Sequence, residues 1–270
     1  MVEEDVRERI KTEFEEKKKQ VVELPALDFF KINLISFILP LYPCLGIFLL
    51  FEYDFIILFK IPFIFNILIL PAFLLFLSYL YLILLIEFTA FWARRWNKKS
   101  PPKQGVFKRV LDDLNSEEGK MMKYYHKRGF IIKMPVWMTS KSPFPWLLNR
   151  ALKRISHNKI AKNVIYCDGY AGLELTNLGS NVFIYPTSAL SSHAVNTIFG
   201  KITMMELKLG NNTTFYPGII AGPNAMTTDN NVIFPNSVLH KNWRGKLDKY
   251  YYQGSPGRPI EVNHLKNSKQ

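Results

Sequence analysis

The sequence predicts a mainly β protein: a parallel β-helix built from six-residue repeats, preceded by a two-helix transmembrane hairpin. Three observations carry this. Two long stretches of the N-terminal third hold no charged residue. The last hundred or so residues place apolar side chains six apart, a period belonging neither to a helix nor to a simple alternating strand. Between the two lies a basic, aromatic segment. Within the chain's 270 residues, 48% are hydrophobic and 21% charged, which excludes a disordered or collagen-like polymer. The two cysteines, Cys44 and Cys167, lie far apart, which excludes a disulfide-stapled secreted scaffold or a Cys-rich zinc module and suits a reducing compartment.

Residues 1–28 are expected to form an amphipathic helix. Val2, Val6, Ile10 and Phe14 stand four apart among alternating acids and bases, giving one narrow apolar stripe on a charged surface.

Residues 29–95 form the expected hairpin. Ile32 to Phe51 and Ile61 to Ile86 are uncharged, the first between Lys31 and Glu52, the second between Lys60 and Glu87. At about 1.5 Å per residue, twenty residues rise about 30 Å, the thickness of the hydrocarbon core. Pro40, Pro43 and Pro71 are tolerable there because neighbouring helices and hydroxyl side chains can satisfy the freed backbone. A cleaved signal peptide fits poorly, since about thirty mostly polar residues precede the first run and a second run follows at once. Lys17, Lys18, Lys19 and Lys31 precede the first span and Arg94, Arg95, Lys98, Lys99 and Lys103 follow the second, while residues 52–60 carry one Lys and two acids. The positive-inside rule puts both termini and the β domain in the cytoplasm of a multi-pass cell-membrane protein.

Residues 96–155 make a basic, aromatic interfacial connector. From Arg94 to Lys162 the chain has eighteen Lys and Arg against four acids, a net of +14, so this stretch accounts for the whole-chain excess of +13. Trp92, Trp96, Phe107, Trp137, Phe144 and Trp146 are set among or beside these charges, a composition suited to the headgroup layer of the bilayer. No nucleic-acid-binding motif accompanies the basicity, so nucleic acid is not an expected partner.

Residues 156–262 carry the repeat, and 263–270 are a tail. Ile160, Tyr166, Gly172, Leu178, Ile184 and Leu190 are six apart, and the spacing resumes at Leu209, Phe215, Ala221, Thr227, Ile233 and Leu239. Three short strand-and-turn units close one eighteen-residue triangular coil, with the periodic residue inside and turn formers at the corners. Asn212, Asn224, Asn230 and Asn236 share one repeat position with Gly218, where left-handed turn geometry is easily accepted. The twelve units predict four coils. Leu190 and Leu209 are nineteen residues apart, one more than a coil, and residues 194–208 fit the template poorly, so a loop is expected to leave the prism there.

The hexads Leu209-Gly210-Asn211-Asn212-Thr213-Thr214 and Ala221-Gly222-Pro223-Asn224-Ala225-Met226, with the closing Gly254-Ser255-Pro256-Gly257-Arg258-Pro259-Ile260, resemble hexapeptide-repeat acyltransferases. The resemblance implies a left-handed parallel β-helix, although parallel crossovers ordinarily run right-handed. It also implies a homotrimer with clefts between subunits. The order of membrane helices, basic connector and repeat domain is similar to the membrane-embedded C-terminal part of nonribosomal-peptide-synthetase-like proteins. The chain departs from the pattern by being poor in glycine, 14 in all, and by placing Tyr185, Tyr216 and Phe234 where Gly is usual.

Acyl transfer from a thioester to a hydroxyl or amine needs a base for the acceptor's proton, and histidine is the side chain best poised for it near neutral pH. His193, beside the expected loop, takes that role by resemblance; read from the residues alone it is equally a corner residue bonding its own turn. His240 is second and expected to be structural, while His126, His157 and His264 look incidental. Lys241, Arg244, Lys246 and Arg258 cluster after the last coil. Of these, Lys241, Arg244 and Arg258 are the candidates for the phosphates of a pantetheine-type donor, acyl-CoA or an acyl carrier protein; a solvated basic face explains them too. A γ-class carbonic anhydrase, a zinc enzyme on the same β-helix, matches only in the 36-residue spacing of His157 and His193; the further His is missing, Ile198 standing there, so no metal is expected. Two functions follow. One is a membrane-anchored acyltransferase acting on a membrane-associated hydroxyl or amine, such as a lipid or lipid-linked glycan. The other is a non-catalytic trimerising β-helix scaffold for a membrane assembly.

Overall fold

The computed structural model describes residues 26–111, 113–155, 158–167, 174–196 and 200–261. The helix expected over residues 1–28 therefore lies, but for its last three residues, outside the described residues, as do Gly172, His157 and His264. The described residues divide into two compact units, a helical one (within residues 26–99 and 126–155) and a β one (within residues 100–125 and 158–261).

In the helical unit, α1 (Ala26–Ile38) ends at a turn at Leu39 and Pro40. Helix α2 (Leu41–Leu50) carries Pro43 in its first turn, where no intrahelical N–H bond is lost, and runs directly into a π-helical stretch, Phe51–Ile57. The link expected over residues 52–60 is thus helical through Ile57, and the turn is confined to residues 58–62. The physical reason lies in side chains that stay paired. Glu52 accepts a hydrogen bond from Asn66 Nδ2 at 3.1 Å. Phe51, Phe55 and Phe59 extend one aromatic stripe, with ring centroids 5.6 and 5.9 Å apart, and Phe51 stacks on Phe73 at 4.0 Å. Helix α3 (Phe63–Lys99) holds Pro71 without ending. Phe30–Ile57 and Phe63–Lys99 are both long and apolar enough to cross a bilayer.

Further along α3, Leu77, Leu82, Leu85, Ile86, Ala90 and Ala93 are buried. In helix α4 (Glu117–Ser140), Ile131 and Ile132 are buried. Helix α5 (Trp146–Ile155) packs on α3 through Leu147, Leu148, Ala151, Leu152 and Ile155, spaced as one helical face.

In the β unit, short strands stack in parallel at eighteen-residue intervals. β2 (Lys159–Ile160) pairs with β4 (Thr176–Leu178), aligning Ile160 with Leu178, and β3 (Ile165–Tyr166) pairs with β5 (Phe183–Ile184). Across the interruption, β4 pairs with β9 (Leu207–Leu209), β5 with β10 (Thr214–Phe215), and β6 (Ala189–Leu190) with β11 (Ile220–Ala221). Eighteen-residue stacking resumes as β10 pairs with β12 (Val232–Ile233) and β11 with β13 (Val238–Leu239). Leu178, Ile184, Leu190, Leu209, Phe215, Ala221, Ile233 and Leu239 fill the prism, none more than 1% exposed. One sheet gains a fifth level, β14 (Tyr251–Gln253), closed by the antiparallel β15 (Arg258–Pro259).

The corners hold by two ladders. Asn163, Asn181, Asn212 and Asn230 all adopt φ between 53° and 60°. Each side-chain amide donates to the next carbonyl oxygen at 2.9–3.0 Å. Asparagine suits both tasks, because its short amide tolerates the left-handed region and carries a donor and an acceptor. The bulky residues standing in place of glycine also stack: Tyr185 on Tyr216 at 5.2 Å and 13°, and Tyr216 on Phe234 at 5.9 Å and 14°. Bulk at these positions is absorbed by neighbours of the same kind one coil away.

Candidate active site

The interruption is larger than the spacing of Leu190 and Leu209 implies. Paired residues across it are thirty-one apart, as in Leu178 with Leu209, so thirteen residues are inserted into an eighteen-residue coil. The insertion builds a hairpin in which β7 (His193–Asn196) pairs antiparallel with β8 (Lys201–Met204), aligning His193 with Met204 and Ala194 with Thr203. A third strand, β1 (Gly105–Lys108), comes from the basic connector and pairs with the far side of β8, with Gly105 opposite Met204. The Arg109 N–H donates to the Gly200 carbonyl at 2.7 Å and the Glu206 N–H to Gln104 Oε1 at 3.1 Å, fastening both ends of this added strand.

One face of the three-stranded sheet is a small core. Leu111, Met121, Met122, Ile202 and Met204 are buried together, with Phe107, Tyr125 and Leu175 packed against them. His193, opposite Met204, projects to this face, since directly paired residues share a side of an antiparallel sheet. Its half-buried ring meets the Tyr125 ring edge-on, centroids 5.8 Å apart at 70°. Hydroxyls brace the strand entrance: Ser191 Oγ donates to the His193 carbonyl at 2.5 Å, and Ser192 Oγ to the Glu174 carbonyl. The base candidate therefore sits on a braced strand root.

The three basic candidates are placed differently. Lys241 Nζ donates to Thr203 Oγ1 at 3.2 Å. Thr203 neighbours Met204 in β8 and so projects from the opposite face to His193. Arg244 is drawn onto the coil, bonding the Asn224 carbonyl through Nη1, Asn224 Oδ1 through Nη2 at 3.0 Å, and the Trp243 carbonyl at 3.0 Å. Arg258 stands exposed in β15, opposite Gln253. Within one chain, then, His193 and Lys241 flank the same hairpin from its two sides. His240 is an exposed turn residue whose carbonyl accepts the Trp243 N–H at 3.0 Å.

Sequence reasoning missed Tyr125 and the strand Gly105–Lys108. Both lie in the basic connector, where charge masks a four-residue alternation too short to register. Among the described residues no three His, Cys, Asp or Glu side chains converge on a point that could hold a metal ion.

No protein-family model and no curated protein matches the chain. Among solved structures, a galactoside acetyltransferase in complex with coenzyme A aligns with 53% of this chain and 86% of its own, at 15% identity and a TM-score of 0.40. A maltose O-acetyltransferase from Clostridium difficile 630 aligns with 48% and 83%, at 16% identity and a TM-score of 0.37. A hexapeptide-repeat-containing acetyltransferase from Vibrio cholerae O1 biovar eltor, complexed with acetyl coenzyme A, aligns with 56% and 91%, at 9% identity and a TM-score of 0.37.

Proposed function

We propose that the chain is a membrane-anchored acyltransferase with a left-handed β-helix, moving an acyl group from acyl-CoA or an acyl carrier protein to a hydroxyl or amine at the membrane. The observation that carries the reading is His193 at the root of a thirteen-residue insertion, half-buried and held edge-on by Tyr125. A ring so held can take the acceptor's proton as its oxygen or nitrogen attacks the thioester carbonyl. The new C–O or C–N bond forms, the C–S bond breaks, and the imidazolium returns its proton to the leaving thiolate.

The opposed placement of His193 and Lys241 favours a homotrimer. A cleft between neighbouring prisms can be lined by His193 of one subunit and by Lys241, Arg244 and Arg258 of the next, where they would meet the donor's phosphates. Phe30–Ile57 and Phe63–Lys99 would span the bilayer with both termini and the prism on the cytoplasmic side, where the positive flanks belong. Tethering concentrates the site where a lipid or lipid-linked glycan acceptor lies.

A second reading, a non-catalytic trimeric scaffold, is favoured by one observation: Arg244 and Lys241 already bond protein atoms. The two are separated by the full chain purified in lipid and given a panel of acyl-CoA species. His193→Ala is expected to lower thioester consumption by about 10²–10⁴-fold, the usual contribution of a general base, with oligomer mass and melting unchanged. Equal turnover in the variant removes His193 from catalysis, and no turnover by the wild type with any donor leaves the scaffold.

A further inference from the structure

We propose that Arg150 and Arg154 on α5 form a binding site for the phosphate of an anionic phospholipid headgroup, with Glu87 as a built-in counter-ion that weakens it. The inference rests on the bilayer-spanning reading above and lies wholly within the helical unit.

Glu87 of α3 is gripped from α5. Arg150 Nη2 donates to Oε1 at 2.9 Å, Arg154 Nε donates to both oxygens at 3.1 and 3.2 Å, and Arg154 Nη2 donates to Oε2. A guanidinium carries five N–H donors, so four of Arg150's and three of Arg154's, whose single Nε–H is shared by both oxygens, remain beyond those this carboxylate takes. The side chains are 45% and 47% exposed, so those donors are within reach of a ligand. Two guanidinium charges against one carboxylate leave a net of one positive charge, held in planar forks that match phosphate oxygens.

The surroundings name the ligand. One turn before Arg150 on α5 and about two turns before Glu87 on α3 lies an aromatic group, in which Tyr79 meets Phe144 edge-on at 4.9 Å and Phe144 meets Trp146 at 5.7 Å. Trp146 is 58% exposed. Aromatic rings of this kind gather where acyl chains give way to headgroups. Depth agrees. Counting from Phe63, the first residue of α3, about 30 Å of hydrocarbon ends near Ile83, and Glu87 lies about 6 Å beyond, in the phosphate layer. A solvated ion pair that merely fastened two helices would need neither the exposed rings nor this depth.

The test reconstitutes the full chain into phosphatidylcholine bilayers containing a minor share of phosphatidylglycerol, extracts it gently, and measures retained lipid by native mass spectrometry. A basic residue near an anionic surface is worth about 1 kcal/mol, or about fivefold. Removing both with R150Q/R154Q is expected to lower the retained ratio of anionic to zwitterionic lipid by up to about thirtyfold. Glu87→Gln is expected to raise it about fivefold. A cluster that only clamps α5 to α3 moves the ratio the same way in both variants, or in neither, and either result overturns the proposal. Helix content by circular dichroism verifies that each variant folds. Wild-type protein recovered in the soluble fraction without lipid overturns the spanning reading itself, whereas inserted protein with an insensitive ratio overturns only the headgroup site.

Discussion

Replacing Asn212 isolates the two jobs of the corner asparagine. Its backbone sits at φ 53°; its amide oxygen accepts from Asn181 at 3.0 Å and its Nδ2 donates to Asn230 at 2.9 Å. Both bonds are exposed, so each is worth about 0.5 kcal/mol, the low end for hydrogen bonds. The left-handed backbone costs an ordinary L-residue about 1–2 kcal/mol and glycine almost nothing. Asn212→Ala therefore loses about 2–3 kcal/mol. Asn212→Gly loses about 1 from the bonds and a further ~0.5–1 from added freedom of the unfolded chain. The ordering matters more than either sum: glycine should be the more stable replacement by about 0.7 kcal/mol between the centres of the two ranges, roughly 4 °C in melting temperature for a domain of this size. Thermal unfolding of the full chain in detergent, followed by its β signal in the far ultraviolet, reads the difference. An alanine variant as stable as the glycine variant would refute the left-handed corner, and with it the account of why asparagine recurs at this position.

Two further outcomes are expected. Tyr125→Phe keeps the edge that meets His193 and should retain thioester turnover. Tyr125→Leu removes the ring and should lower kcat severalfold with KM little changed, a split that general loosening of the fold would not produce. Gly210→Ala would bring its Cβ to 2.4 Å from the Thr228 carbonyl oxygen, closer than real Cβ atoms approach backbone. The coil must shift to admit it, at a cost of about 1–3 kcal/mol in unfolding, the usual range for overpacking.

The prism was legible because its signal is local. A residue pointing inward every six positions shows itself as Leu178, Ile184 and Leu190, and Leu209, Phe215 and Ala221, with no knowledge of what they meet. What was not legible depends on pairs far apart in the chain. The nineteen residues between Leu190 and Leu209 look like one coil and a spare residue, yet they are one hexad step and a thirteen-residue insertion. Spacing along the chain does not distinguish a coil from an excursion of similar length; only strand register does. Glu87 meets Arg154 across sixty-seven residues, and each looks solvated when read alone. Charge density led the reading of the connector toward lipid and hid Gly105–Lys108, whose Phe107 packs under the hairpin while Val106 stays exposed.

That hidden strand alters what the candidate base can tolerate. A two-stranded hairpin projecting from a solenoid is marginally stable by itself, and histidine at its root would wander with it. Here β1 supplies a third strand, and Met121, Met122 and Tyr125 of α4 supply the apolar backing, so the hairpin carries a core of its own. Both additions come from the connector and neither from the repeats. The repeats fix where His193 leaves the prism, and the connector fixes how rigidly it is held. A prism cut free of residues 100–125 should therefore keep its coils and lose order in the hairpin, visible as fast amide exchange confined to residues 193–204. Slow exchange there in the truncated prism would show that the insertion holds itself, and Tyr125 would then lose its claim to position the base.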